Sequence, residues 1–445
     1  MIEQRIIKRD GRVVPFNREK IFSAVYRAAV AVGGRDREPA ERVTDDVLRM
    51  LEARENPGTY PTVEEVQDCV EKALIERGHA RTAKAFIVYR YEHALKRRGR
   101  QSLTYSEENI PYRKLWEALS WSLDQGCASL AGIADIVRAG RYPELVASSD
   151  AFYEAELDAA AARALERRDE VRILIVAGPS SSGKTTTTLK IRERLAAAGV
   201  RTVPLTVDNY FFDLDAHPKI GADDYDFETP QALDLALINA HLQALLDGEA
   251  VQVPHYNFRT GRREGTEASF RLAKDEVLLI DSLHGLFPEM TAGIGEERKF
   301  RLYIETLSQV RDREGRWLRW ADVRMLRRMV RDMQFRSYSP RQTARHWHLV
   351  RRSELRYIVP ELQRAHVIVN SFLPYELPIM RARVGAELAA MVGEFEGDPD
   401  REDALERVRR VLGVFAELGV TADESAVPPT SLLREFIGGS GYTYH

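Results

Sequence analysis

The sequence predicts an α/β fold, a parallel sheet flanked by helices, with a small, mainly helical domain in front of it. Three observations carry that prediction. From Val171 onward, short β-branched apolar runs alternate with helical stretches, the pattern of a parallel sheet covered on both faces. The first run, Val171 to Ala177, is apolar except for Arg172 and ends in Gly178-Pro-Ser-Ser-Ser-Gly183-Lys184-Thr185, which opens a helix. The first 95 residues instead read as a short hairpin followed by amphipathic helices.

With 445 residues there is material for two to four domains, each with its own core. Apolar residues at 44% and charged residues at 30% exclude a disordered chain. The 65 basic and 68 acidic residues give a formal charge of -3, so no global basic field favours nucleic acid or anionic membrane. Cys69 and Cys127 lie far apart without metal-type spacing and read as small, semi-buried residues. The segment MIEQRIIKRDGR has no apolar signal core, and no apolar stretch approaches the about 18 residues of a membrane helix. The expected location is the cytoplasm, without a membrane or nucleic-acid partner.

Four regions follow along the chain. In residues 1–96, Arg5 to Lys8 and Arg12 to Pro15 are predicted strands around Asp10-Gly11, a hairpin signal. A helix with Ile21, Val25, Ala28 and Val32 on one face comes next, then one near Pro39 to Ala53. Thr62 with Glu65 forms a capping box opening a helix that carries Val66, Val70, Ala73 and Leu74, and a last helix runs from about Ala80 to Lys96. Residues 97–170 form a linker region, polar at RRGRQ and then helical, with Leu115, Trp116, Leu119, Trp121 and Leu123 as packing material. Residues 171–380 hold the strand–helix alternation. Thr202 to Val207, Val277 to Ile280, Leu302 to Ile304 and His366 to Val369 read as further buried strands, and Thr185 to Ala198 and Pro230 to Leu246 as helices. Residues 381–445 return to helix, and the tail with Leu432, Leu433, Phe436 and Ile437 is expected to dock on the body.

The octapeptide from Gly178 to Thr185 fits G-x-x-x-x-G-K-[ST] completely, between an apolar strand and a helix. Its glycines let backbone N–H groups from Ser180, Ser181, Ser182 and Gly183 turn toward phosphate oxygens. The helix beginning at Thr185 and Thr186 presents its own N–H groups and positive dipole end to the same anion. Lys184 reaches the β- and γ-phosphates of ATP, and the Thr185 hydroxyl is a hard ligand for Mg²⁺. A second metal-side carboxylate belongs at the end of a neighbouring strand, where Asp281 closes VLLID. Asp208 closes the strand Thr202 to Val207 and is the candidate base for an attacking hydroxyl, with a turn-forming role as the alternative. Residues 324–352 hold Arg324, Arg327, Arg328, Arg331, Arg336, Arg341, Arg345, Arg351 and Arg352. Guanidinium groups stabilise a moving phosphoryl and an arginine-bearing lid excludes water; the rest are expected on a solvated helix face. Arg328 and Arg331, three apart, share one face.

At these residues the chain resembles the uridine kinase and phosphoribulokinase family of P-loop kinases. The matching blocks are GPSSSGKTTT, VDNYF, DYDFETPQALD, VPHYNFRTGRRE, RMVRD and PELQRAHVIVN, in the family's order. The resemblance implies a kinase that passes the ATP γ-phosphate to a nucleoside hydroxyl. It assigns Asp208 to that hydroxyl, Glu228 to the ribose, Tyr256 and Phe258 to the base, and Arg328, Arg331 and Arg336 to the phosphates. Tyr210 and Arg263, within two of the blocks, belong to the same acceptor site. Asp281 stands where the family has a glutamate. Departures fall on the base-reading parts: Gly261 replaces a histidine, Asn257 an aspartate and His346 a glutamine. A sugar phosphate or another small hydroxyl compound is therefore an alternative acceptor, with Arg259, Arg262 and Arg263 suited to its charge; a non-catalytic nucleotide sensor is a further alternative.

Residues 6–21, IIKRDGRVVPFNREKI, with YPTVEEVQDCVEKALIERG and AFIVYRYEH, resemble an ATP-cone domain. That resemblance implies a second, regulatory nucleotide at Lys8, Arg9 and Lys20. The family resemblance also implies a homo-oligomer.

Overall fold

The computed structural model describes residues 5–7, 13–34, 36–53, 60–87, 110–217, 227–266, 269–336, 338–398 and 401–443. They fall into two compact units, Met1–Ser106 and Glu107–His445. In the first, β1 (Arg5–Ile7) pairs antiparallel with β2 (Val13–Pro15), Ile6 opposite Val14. The turn expected at Asp10-Gly11, with Lys8 and Arg9, lies outside the described residues. Helix α1 (Arg18–Ala31) opens at Asn17, whose side chain accepts the Glu19 N–H at 2.8 Å. It buries Ile21, Val25 and Ala28. Helix α2 (Glu38–Glu52) adds Val43 and Val47 to that core. Helix α3 (Val63–Glu76) opens with the Thr62–Glu65 capping box complete in both directions. Helix α4 spans 80–87; its expected continuation to Lys96 and most of the polar linker, through residue 109, lie outside the described residues.

The second unit begins with α5 (Tyr112–Asp124), α6 (Leu130–Arg138) and α7 (Tyr142–Leu165), then enters the sheet. Strand β3 (Ile173–Ala177) leads into α8 (Lys184–Ala197) and β4 (Arg201–Thr206). Helix α9 (Leu235–Leu246) follows, then the short strands β5 (Ala250–Val251), β6 (Pro254–Asn257), β7 (Arg262–Thr266) and β8 (Phe270–Arg271). Strands β9 (Glu276–Ser282) and β10 (Lys299–Glu305) precede helices α10 (Trp320–Phe335) and α11 (Pro340–Ser353). Strand β11 (Val367–Asn370), α12 (Glu376–Phe395), α13 (Glu402–Leu418) and the short α14 (Arg434–Ile437) complete the chain.

The five long strands form one parallel sheet in the order β11-β10-β3-β9-β4. Side chains alternate across it. Leu174 and Val176 join a core with α7, α8 and α10 to α13, while Ile173, Ile175 and Ala177 face α9 with Ile238, Leu242 and Leu245. Register sets Ala177 beside Ser282 and Tyr303, so β3 and β9 end level and β10 runs on to Glu305. Ligands of such sheets bind at this carboxyl edge. Leu432, Leu433, Phe436 and Ile437 are all buried in the first core. Among the described residues no helix is long and apolar enough to cross a membrane.

Three expectations are corrected. Strand β4 is an edge strand, exposed or half-buried at every position except Leu205, because it has a neighbour on one side alone. The helix expected from Pro230 starts at Leu235, where Asp234 caps it by accepting the Leu237 N–H at 3.0 Å; Pro230–Ala232 form a separate 3₁₀ turn. Strand β9 continues past Asp281 to Ser282. Replacing Phe395, fully buried where α12 meets α13, by alanine should cost about 3–5 kcal/mol in urea unfolding with little change in the slope.

Candidate active site

A phosphate cradle needs its backbone N–H groups to converge on one point, and that obliges the intervening carbonyls to point away and find donors elsewhere. In the loop after β3, Arg324 donates to the Ser180 carbonyl at 3.1 Å and Arg327 to the Ser182 carbonyl at 3.3 Å. The Lys184 ammonium donates to the Pro179 carbonyl at 3.2 Å. Both arginines are fully buried, contrary to the expected solvated face. Arg324 is paired with Glu305 at 2.7 Å and with Glu354. Arg327 takes both oxygens of Glu376 at 2.6 and 2.8 Å and the Ser371 carbonyl at 2.6 Å. Against the loss of hydration, Glu305 and Glu354 raise the Arg324 pKa still higher. Met325, Leu326, Met329 and Val330 pack α10 into the core.

The loop itself, from the buried Gly178 onward, is shaped for an anion. Gly183 has φ +94°, and a methyl there would meet Leu432 at 2.6 Å. Ser181 has φ +60°, the single non-glycine residue in that region among the described ones, a conformation that costs energy and clusters at functional sites. The Ser181 and Ser182 hydroxyls are buried without a hydrogen-bond partner among the described residues. Such groups call for a polar ligand, and a phosphate supplies one. The Thr185 hydroxyl donates to Asp281 Oδ2 at 3.2 Å. These hard oxygens suit Mg²⁺, which takes one or two protein ligands and completes its shell with phosphate and water. Burial pushes the Asp281 carboxyl up to about 6, opposed by Lys184 and reinforced by Glu435 and Asp208.

Beside the cradle, the buried Asp332 gathers three arginines. Arg328 Nε donates to it at 3.3 Å, Arg331 lies at 3.0 Å and Arg336 at 3.8 Å. Loss of hydration and repulsion from Arg331 and Arg328, opposed by Asp332, lower the Arg336 pKa. Arg328 NH1 reaches both the Ser180 hydroxyl at 3.1 Å and Glu228 Oε1 at 2.8 Å. Glu228 is held from behind: its carbonyl accepts from the Ser353 hydroxyl and lies 3.0 Å from His284 Nε2. Burial lowers His284 to about 3, so that imidazole is neutral.

Across the cleft, Asp208 sits in the 3₁₀ turn Val207–Tyr210 just past β4 and is open to solvent. Loss of hydration raises its carboxyl, opposed by Lys184 and Arg336 and reinforced by Glu228. Next to it stands an aromatic wall. Phe211 lies 5.5 Å from Tyr256 and 6.0 Å from both Phe227 and Phe258; His217 lies 4.8 Å from Phe227. Phe258 and Phe227 leave broad surfaces exposed.

Two expected contacts are corrected. Tyr210 is wholly buried and its hydroxyl lies 3.0 Å from His241 Nδ1, so it backs the wall instead of facing the cleft. Arg263 donates to the Tyr210 and Phe211 carbonyls, both at 2.7 Å, and to Asp234 at 3.1 Å. It clamps the turn behind Asp208. Gly261 has φ +68°, and Leu214 lies 3.0 Å from where its Cβ would be. The turn needs glycine, and no side chain reaches the cleft from there. Asn257 is tied to Glu264 at 2.7 Å, and His346 lies on the exposed side of α11 against the Gln342 carbonyl. Lys20 is exposed on α1 in the other unit. Sequence reading passed over Glu305, Glu354 and Glu376, which no motif marks, although buried arginines demand such partners.

A buried parallel sheet, a phosphate cradle at its carboxyl edge and an open carboxylate opposite a cationic cluster define an ATP-dependent kinase of the P-loop type. Residues 173–376 match the Phosphoribulokinase / Uridine kinase family and residues 4–95 match the ATP cone domain. A uridine kinase of Deinococcus deserti is 30% identical over 198 residues, 44% of this chain and 86% of that protein. A uridine kinase of Chloroflexus aggregans is 29% identical over 223 residues, 49% of this chain and 97% of that protein. A vitamin B12-dependent ribonucleoside-diphosphate reductase of Thermoplasma acidophilum is 37% identical over 92 residues, 20% of this chain and 12% of that protein. The chain belongs to the phosphoribulokinase / uridine kinase family and carries an ATP-cone domain ahead of the kinase region.

Two predictions follow from the buried ions. Arg327→Met strands Glu376 and should cost about 3–5 kcal/mol. Arg327→Met with Glu376→Leu should recover most of that in chemical unfolding, yet keep a raised KM for ATP, because the Ser182 carbonyl still lacks its donor. The Asp281 carboxyl titrates higher in the folded than in the unfolded chain, so the folded state binds more protons between about pH 4 and about pH 6. The nucleotide-free protein should lose stability as pH rises through that window. Asp281→Asn should flatten that slope and raise the melting temperature near neutral pH.

Proposed function

We propose that this kinase transfers the γ-phosphate of ATP to a hydroxyl of a nucleoside, with uridine-like compounds as the first candidates. The observation that carries the reading is the position of Arg328, which touches the cradle at Ser180 and the acceptor side at Glu228 with one guanidinium nitrogen. A group that spans both sides can follow charge from donor to acceptor. In the proposed reaction, ATP lies on Gly178 to Thr186 with Lys184 at its outer phosphates. The acceptor base rests on Phe258 and Tyr256 and its ribose on Glu228. Asp208 takes the proton of the attacking hydroxyl as the new O–P bond forms; the bond to the β-phosphate oxygen breaks and ADP leaves. Arg328, Arg331 and Arg336 balance the charge of the moving phosphoryl. Mg²⁺, held by Thr185 and Asp281, would supply neutralisation of the phosphate oxygens. We further propose that the ATP cone binds a second nucleotide that tunes turnover, with Lys8, Arg9 and Lys20 toward its phosphates, and that the enzyme works in the cytoplasm.

A second reading, a phosphorylated acceptor, draws support from Arg259 and Arg262, both exposed on the hairpin that carries Phe258. An ATP-to-ADP assay across nucleosides and sugar phosphates separates the two. The nucleoside reading expects turnover with a nucleoside, and Phe258→Ala should then raise the acceptor KM far more than the ATP KM; turnover with sugar phosphates alone would replace it. Asp208→Asn should lower kcat by roughly 10²–10⁴-fold with ATP binding retained. Unchanged turnover would remove Asp208 from the role of base.

A further inference from the structure

The phosphate cradle already has an anion in it. The Glu435 carboxylate accepts the Thr186 main-chain N–H at 3.0 Å and the Thr186 hydroxyl at 2.7 Å. Thr186 is the third residue of α8, and its N–H is one of the groups at a helix start that have no partner within the helix. Those are the groups that a cradle offers to phosphate. Glu435 is 8% exposed and makes no ion pair among the described residues, so its charge rests on the start of α8.

The segment bearing Glu435 is fitted to the loop. Leu432 packs where a side chain at Gly183 would stand, 2.6 Å from that missing methyl. The Phe436 ring lies 5.1 Å from the Arg327 guanidinium, the same group that holds the Ser182 carbonyl. Upstream, the Ser431 hydroxyl is tied to Tyr375 at 2.7 Å and Asp150 at 3.1 Å. Leu432, Leu433, Phe436 and Ile437 flank Glu435 and are buried, so the carboxylate cannot turn to water unless the turn gives way. The whole segment lies outside the residues that match the kinase family, 173–376.

We propose that Glu435 is an internal occupant of the nucleotide site: its carboxylate holds the place of a nucleotide phosphate at Thr186, and nucleotide binding expels it and loosens the turn Arg434–Ile437. Two anions cannot share one N–H, and like charges in a partly buried site repel. Nucleotide affinity is thereby lowered by the work of freeing the tail. By linkage, whatever holds the tail down weakens nucleotide binding, and nucleotide releases the tail.

This inference rests on the reading that nucleotide occupies Gly178 to Thr186, and the test separates the two. Calorimetry on the full chain would measure ADP binding to the wild type, Glu435→Gln and Lys184→Ala, and the component lost in Lys184→Ala is the cradle's. Glu435→Gln keeps the shape and an acceptor oxygen while removing the charge, and should tighten that component roughly five- to tenfold. Hydrogen exchange of residues 428–443 in the wild type should rise on adding ADP and stay unchanged in Lys184→Ala. Unchanged affinity in Glu435→Gln, or tail exchange that stays level or falls with ADP, would overturn the proposal and leave the cradle reading intact. Full ADP affinity in Lys184→Ala would bring down both.

Discussion

Peptide groups in a tight loop cannot all point the same way: N–H groups turned inward force carbonyls outward, into the protein. The cradle exists because Arg324 and Arg327 meet those carbonyls. Two guanidinium groups so deep in a core would be untenable alone, so Glu305, Glu354 and Glu376 are buried with them. Charge burial of this kind adds little net stability; what it contributes is direction, since the planar guanidinium fixes its donors in a rigid fork. The loop shape thus depends on β10, α10, α11 and α12 together, and Ser181 keeps its unfavourable backbone angle because its surroundings leave it no alternative.

From that frame the rest of the cleft is arranged by shared partners. Asp332 collects Arg328, Arg331 and Arg336, and Arg328 extends from the loop to Glu228, which His284 and Ser353 hold from behind. On the far side Arg263 ties the turn after β4 to α9, so that Asp208 projects into the cleft while Tyr210 is drawn out of it. Asp208, Asp281 and Glu435 are gathered where phosphates and a divalent cation are proposed to bind. That pattern fits a site whose electrostatics are completed by its ligands; loss of hydration raises both the Asp281 and the Asp208 carboxyl.

Much of this was legible in the chain. Val171 to Ala177 followed by the glycine-rich octapeptide announces a strand, a cradle and a helix, because each step depends on local backbone chemistry. Thr62 with Glu65, and the apolar face of Ile21, Val25 and Ala28, are likewise local, and they appear as read. The less local the feature, the less it showed. Strand β4 has the composition of a buried strand, and its place at the sheet edge follows from strand order. Tyr210 and Arg263 sit inside blocks shared with the family, yet both face away from the cleft, since neighbours distant in sequence take up their polar groups. Arg324 and Arg327 look like solvated helix residues until a helix from elsewhere covers them.

The sequence by itself determined the class of fold, the glycine-rich loop between strand and helix and the set of charged residues available to a phosphotransferase, because periodicity, turn chemistry and a contiguous motif are properties of neighbours along the chain. Only the tertiary structure decided which arginines hold the loop and which face the cleft, and that a carboxylate from the far end of the chain rests on the start of α8. Those outcomes depend on which groups share a desolvated space, and burial sets the cost of every unpaired charge only once the chain has folded around it.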